Sequence, residues 1–148
     1  RQKKPVLLKR GFGNTVDEFV NSSRYISREG NRNIIMVERG IRTFETSTRF
    51  TLDVSAVPVI KEKVDYPVLI DPSHPAGKRR LVQPLALAGI GSGADGLMVE
   101  VHPEPENALS DSEQQLDFQQ FGQLYRMSQS MFSFMRGQSS LEVQKRME

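Results

Sequence analysis

Four times along this chain a continuous apolar, β-branched run is followed by a turn and then by a stretch that reads as helix. The runs are Pro5-Val6-Leu7-Leu8, Asn33-Ile34-Ile35-Met36-Val37, Tyr66-Pro67-Val68-Leu69-Ile70 and Gly96-Leu97-Met98-Val99. They begin roughly thirty residues apart, the length of a βαβ unit. They are apolar throughout rather than alternating, as expected for strands buried on both faces. The pattern predicts an α/β fold on a parallel sheet. Four such units are half of a TIM-type (β/α)8 barrel. Standing free, that half would leave two apolar edge strands unpaired. A complement is therefore expected: a second copy in a homo-oligomer, or a complementing N-terminal half.

The intervening stretches carry helix signals. Thr15 is placed as an N-cap with Glu18 as its reciprocal capping-box partner, Phe19, Ser22, Ser23 and Ile26 form an inward face, and Gly30-Asn31 ends the helix. A long loop over 40–51 leads to a helix over 52–63 that Pro58 breaks or offsets. A third helix is expected over 79–92 and a last one over 113–127, extending as far as Phe134. Residues 1–127 thus read as the half-barrel. Residues 128–148 read as a helical or flexible tail, sticky at Met131, Phe132, Phe134 and Met135 and broken over 136–140.

Composition excludes several classes. At 148 residues the chain suits one domain with an ordinary core. The formal charge is only +2, with the signs interleaved and no basic stripe, so nucleic acid is not an expected partner. No apolar run approaches the ~18 residues of a membrane span. The basic start, Arg1-Gln2-Lys3-Lys4, is not followed by a signal-peptide pattern. There is no cysteine, which removes disulfide and thiolate chemistry and suits a cytoplasmic protein. Beginning at Arg rather than Met, the chain reads as an internal piece or a processed product.

The charged groups fall just after the strands, at the carboxyl ends where α/β proteins build their sites. Leu7-Leu8-Lys9-Arg10-Gly11 and Val37-Glu38-Arg39-Gly40 place cations there, as an anionic substrate would need. Asp71-Pro72-Ser73-His74, Glu100 and Ala108-Leu109-Ser110-Asp111 add an imidazole and carboxylates, a donor set that a hard or borderline divalent cation takes readily.

The strings LLKRGF, ERGIRTFETSTRFTLDVSAVP, DPSHPAGKRRLV and GADGLMVEVHPEPENALSD closely resemble 3-deoxy-D-arabino-heptulosonate 7-phosphate (DAHP) synthases, in the subfamily similar to 3-deoxy-octulosonate 8-phosphate synthases. The resemblance covers roughly residues 4 to 125 and falls on strands five to eight of the family's barrel. It implies condensation of phosphoenolpyruvate with erythrose 4-phosphate, releasing phosphate, at the start of the shikimate pathway to aromatic amino acids. It also implies a divalent metal of the manganese, iron, zinc or cobalt kind. His74, Glu100 and Asp111 match the family's metal ligands. Lys9 and Arg39 match the residues that hold phosphoenolpyruvate, with Glu38 beside them. Lys9 and His74 are the catalytic candidates, Lys9 as a proton donor to the reacting intermediate. The family's fourth metal ligand is a cysteine on the first strand, and its proline-arginine-threonine-serine segment lies on the second. Neither is present here. Ser112-Glu113 replaces a usual Gly-Pro, and Met36 stands where a cysteine often precedes the glutamate-arginine-glycine motif.

Plainer readings stand beside these. His102 is read as capping a loop, and Asp111 has the alternative of N-capping the final helix. Lys9 and Arg39 have the alternative of pairing with Glu38. Asp71 is read as orienting the His74 imidazole or a water. Arg42, Arg49, Lys78, Arg79 and Arg80 read as solvated loop charges, one of them within reach of a substrate phosphate. The competing functions are the octulosonate 8-phosphate enzyme, a non-catalytic half-barrel used for interaction, and a truncated product. The short loop Pro75-Ala76-Gly77-Lys78-Arg79 and the segment Ile41-Arg42-Thr43-Phe44-Glu45 favour the heptulosonate enzyme.

Overall fold

The computed structural model describes residues 3–145, so Arg1 and Gln2 of the basic start and the last three residues of the expected tail lie outside the described residues. Four strands form one parallel sheet in strictly sequential order: β1 (Val6–Lys9), β2 (Ile34–Glu38), β3 (Val68–Ile70) and β4 (Gly96–Leu97). A doubly wound sheet reverses its strand order partway; this one does not. Every crossover therefore runs the same way, as in an arc of a barrel. The registers Val6↔Ile34, Met36↔Val68 and Leu69↔Gly96 align the strands so that their carboxyl ends share one rim.

The first crossover helix, α1 (Val16–Arg28), begins where its sequence requires. Thr15 Oγ1 accepts the Glu18 N–H and Glu18 returns a carboxylate to the Thr15 N–H, satisfying orphan donors of the first turn. The helix buries Phe19, Val20 and Ser23, with Ile26 packed at the margin, so Val20 takes the inward place expected of Ser22. The second helix, α2 (Ala56–Lys63), starts four residues later than expected. Pro58 falls in its first turn, where the missing N–H has no intrahelical acceptor to lose. After β3 comes an unexpected single turn, α3 (Ser73–Ala76), then α4 (Arg79–Gly91). The core fills the space between the sheet and the helices: Phe19, Met36, Val57, Ile60, Val68 and Ile70 on one side, Val82, Ala86, Leu116 and Leu124 on the other.

The last helix, α5 (Phe118–Lys145), corrects two expectations. It starts at Phe118 rather than near Glu113, because Asp117 and Gln120 make a reciprocal cap, with Asp117 Oδ1 accepting the Gln120 N–H at 2.7 Å. Asp111 is therefore not its N-cap. Nor does the helix break over 136–140: it continues through Gly137, which a helix tolerates at a cost of ~1 kcal/mol. Among the described residues no helix is long and apolar enough to cross a membrane.

Candidate metal and anion site

The rim formed by the strand carboxyl ends gathers the charged residues. Lys9 ends β1, Glu38 ends β2, Asp71 follows β3, and His74 rides on α3 three residues beyond Asp71. Glu100 lies just past β4, where a parallel bridge between Val101 and Leu116 pulls the following loop back against the barrel arc. The His102 N–H donates to Leu116 O and the Leu116 N–H to Glu100 O, fixing both ends of that loop. Inside it Asp111 takes a positive φ of 54°.

His74, Glu100 and Asp111 each offer a ligand atom, and these atoms all lie within 4.8 Å of one another. His74 Nε2 is 3.5 Å from Glu100 Oε1. The other ring nitrogen, Nδ1, sits 2.6 Å from Asp71 Oδ2, close enough for an ion pair although not aligned as a hydrogen bond. One oxygen of each remaining carboxylate is held in place: Gln114 Nε2 donates to Glu100 Oε2 at 2.7 Å, and Arg49 Nη1 donates to Asp111 Oδ1 at 2.6 Å. The Asp71 backing is the kind that orients a ligating imidazole. One nitrogen and two carboxylates on a half-exposed rim thus fit a divalent metal by donor type and by proximity.

Cations surround this cluster. Lys9 Nζ donates to Asp71 Oδ2 at 2.7 Å, so Lys9 pairs with Asp71 and not with Glu38. Burial alone would raise the Asp71 carboxyl, but His74 and Lys9 outweigh it and hold Asp71 below the ordinary aspartate range. Arg39 is half-buried, with its guanidinium carbon 4.1 Å from the Phe12 ring centroid. Arg49, read as a solvated loop charge, is instead the partner of Asp111 and Gln114. It flanks a cavity of about 510 Å³ together with Thr46, Ser47, Lys78 and Asp111.

Glu38 is a correction. Expected among the substrate-binding residues, it is fully buried, with Oε2 on Arg10 Nη1 at 2.9 Å and Oε1 on the Gly40 N–H at 2.8 Å. Both of its oxygens thus already accept hydrogen bonds from the protein itself. The buried Arg10 that neutralises it also reaches Asp53 at 2.9 Å. Gly40, at φ 87°, has no room for a side chain, since a Cβ there would meet Pro75 and Phe50 at 2.8 and 2.9 Å. Arg79 is a second correction: it braces the Asp111 loop through Gln115 O, Ser112 O and Glu106 rather than lying in solvent. His102 caps its loop as expected, Nδ1 accepting the Glu104 N–H at 3.1 Å.

Fold and rim together define a class: a partial α/β barrel that collects metal-type donors and cations at its strand carboxyl ends. The sequence matches the DAHP synthetase I family over residues 1–136, and the chain belongs to that family. It is 60% identical over 121 residues to the phospho-2-dehydro-3-deoxyheptonate aldolase of Thermotoga maritima, covering 82% of this chain and 36% of that protein. A 2-dehydro-3-deoxyphosphooctonate aldolase of Protochlamydia amoebophila is 31% identical over 129 residues, covering 80% and 46%. Among solved structures, a truncated form of 3-deoxy-D-arabino-heptulosonate 7-phosphate synthase from Thermotoga maritima superimposes with a TM-score of 0.88 at 55% identity. That superposition covers 90% of this chain and 51% of the other. The chain thus spans between about a third and a half of the length of these relatives. It is a partial barrel.

Proposed function

We propose that this chain provides the metal- and phosphoenolpyruvate-binding half of a cytoplasmic DAHP synthase. The completed barrel condenses phosphoenolpyruvate with erythrose 4-phosphate to 3-deoxy-D-arabino-heptulosonate 7-phosphate and releases phosphate. One observation carries the reading: His74, Glu100 and Asp111 converge within 4.8 Å on the rim that also holds Lys9 and Arg39, in a chain of this family. His74, Glu100 and Asp111 would hold the divalent metal. When bound, the metal supplies Lewis-acid polarisation of an aldehyde oxygen or activation of a water. Arg39 offers a planar, always-charged fork for carboxylate or phosphate. Lys9, one-third exposed, is a point charge on the same rim and a proton donor to the reacting intermediate. Asp71 touches both Lys9 and His74 and fixes their relative positions.

The heptulosonate reading is preferred to the octulosonate one because the identity is 60% against 28% to 36%. The test is phosphate release from phosphoenolpyruvate with added manganese, measured for the chain alone and for the chain mixed with a complementing N-terminal half. The mixture should turn over with erythrose 4-phosphate and lose that activity with chelator or with His74→Ala. Preference for a five-carbon aldose phosphate would move the chain to the octulosonate branch. A folded mixture silent with both aldoses would sink the enzymatic reading.

A further inference from the structure

Arg39 differs from four of the cations around it. Lys9 is matched by Asp71, Arg10 by Glu38 and Asp53, Arg49 by Asp111 and Arg79 by Glu106. Arg39 has no carboxylate at ion-pair distance among the described residues, and its Nε is buried without a hydrogen-bond partner. What holds it is aromatic. The guanidinium carbon lies 4.1 Å from the Phe12 ring centroid and 5.4 Å from that of Phe50, and the two rings stack on each other at 4.3 Å and 16°.

The stack is tied into the backbone on both sides. Phe12 O accepts the Arg42 N–H at 2.8 Å, and the Phe50 N–H donates to Pro75 O at 3.2 Å beside the Ile41–Thr51 bridge. Three strand-end loops are thereby committed to placing two phenyl rings against Arg39, and Phe50 also faces the Arg49 guanidinium at 5.7 Å. A phenyl face attracts a cation through its quadrupole but carries no net charge, so it fixes a guanidinium without neutralising it. A carboxylate in the same position would compete with any anionic ligand.

We propose that Phe12 and Phe50 are positioning residues whose stacked rings hold the Arg39 guanidinium in place, unneutralised, for the carboxylate or phosphate of an incoming substrate. The proposal rests on the reading of this rim as a phosphoenolpyruvate site. Burial pulls Arg39 below the usual guanidinium value, so an arriving oxyanion relieves a desolvated charge.

The test pairs a ligand-free readout with a binding one. In the chain with 15N-labelled arginine, the Arg39 Nε–H resonance should be shifted upfield by the rings and protected from exchange. It should stay so in Phe12→Tyr, which keeps the π face, and revert in Phe12→Leu, which keeps only apolar bulk. Calorimetric titration with phosphoenolpyruvate should show affinity roughly threefold to tenfold weaker in Phe12→Leu and Phe50→Leu, as a partly exposed cation–π contact implies, and near parental in Phe12→Tyr. An Nε–H with the shift and exchange of an exposed arginine in the parent would overturn the proposal without reference to any ligand. So would parental affinity in both leucine variants while Arg39→Ala loses binding, an outcome that leaves the phosphoenolpyruvate reading intact. Undiminished binding by Arg39→Ala would instead remove that reading, and the proposed purpose of the rings with it.

Discussion

Arg10 and Glu38 show how much of this rim is structural. Both are almost wholly buried, and each is tolerable only because of the other and of the Asp53 and Gly40 contacts. Burial pushes the Glu38 carboxyl up by more than Arg10 and the Gly40 N–H pull it down; burial also works to lower Arg10, but its two carboxylates outweigh that and raise it. Removing one member leaves an uncompensated buried charge. Arg10→Met should therefore cost roughly 3–5 kcal/mol in urea unfolding, and Arg10→Met with Glu38→Leu should recover most of it. A single-mutant loss below about 1 kcal/mol would show that the pair is hydrated rather than buried. Asp53 supplies a pH test. Burial would raise its carboxyl, but hydrogen bonds from Ser55, Arg10 and the Ala56 N–H together bring it below the ordinary 3.8. The folded state then binds fewer protons than the unfolded chain in that window. Its contribution is full above the unfolded value and is lost as pH falls through the folded one. The urea midpoint should drop between about pH 5 and about pH 3, and drop less in Asp53→Asn. Equal slopes would assign the acid sensitivity to other groups.

Among the elements, what was legible in the sequence were features with a local cause. The four strands announced themselves as unbroken apolar runs, and α1 as a threonine three residues before a glutamate. The start of α5 carried the same kind of signal in Asp117 and Gln120, masked by the more prominent acidic residues at 111 and 113. His74, Glu100 and Asp111 stood out as metal-type donors at strand ends, and the resemblance to the family singled them out as a set. That Arg49 sits on Asp111, sixty-two residues away, could not, because the hairpin-like return of its loop has no local signature. Nor did Arg10 distinguish itself from its neighbour Lys9, although one is sealed under the rim and the other lies on it. One glycine shows how tightly the helix layer lies on the sheet. A Cβ on Gly89 of α4 would come within 2.6 Å of the Ile70 side chain on β3. Gly89→Ala gains about 1 kcal/mol of helix propensity and loses about 1–3 kcal/mol to overpacking, so a net destabilisation is expected. Thermal unfolding checks it, and an unchanged or raised midpoint would mean that α4 shifts on the sheet at little cost.

At the scale of the whole molecule the fold is an open arc, and its edges decide how the isolated chain behaves. Among the described residues neither β1 nor β4 has a partner on its outer side. The two edges are unequal. β4 pairs over only two residues and is flanked by a groove of about 550 Å³ lined by Leu97, Val99, Phe121, Tyr125 and Phe132, whereas β1 presents four residues with Leu7 44% exposed. An extended, apolar, unpaired strand is a template for another strand, and natural edges are commonly blunted by lysine. The isolated chain should therefore self-associate mainly through β1. Leu7→Lys, which puts a charge at the centre of that edge, should shift sedimentation velocity toward monomer at a concentration where the parent is oligomeric, with unchanged far-UV dichroism. A complementing N-terminal half should suppress parent self-association in the same way, because one strand cannot serve two neighbours on the same side. If the parent is monomeric at high concentration, the β1 edge is already protected. If Leu7→Lys remains as oligomeric as the parent, association runs through the β4–α5 groove instead.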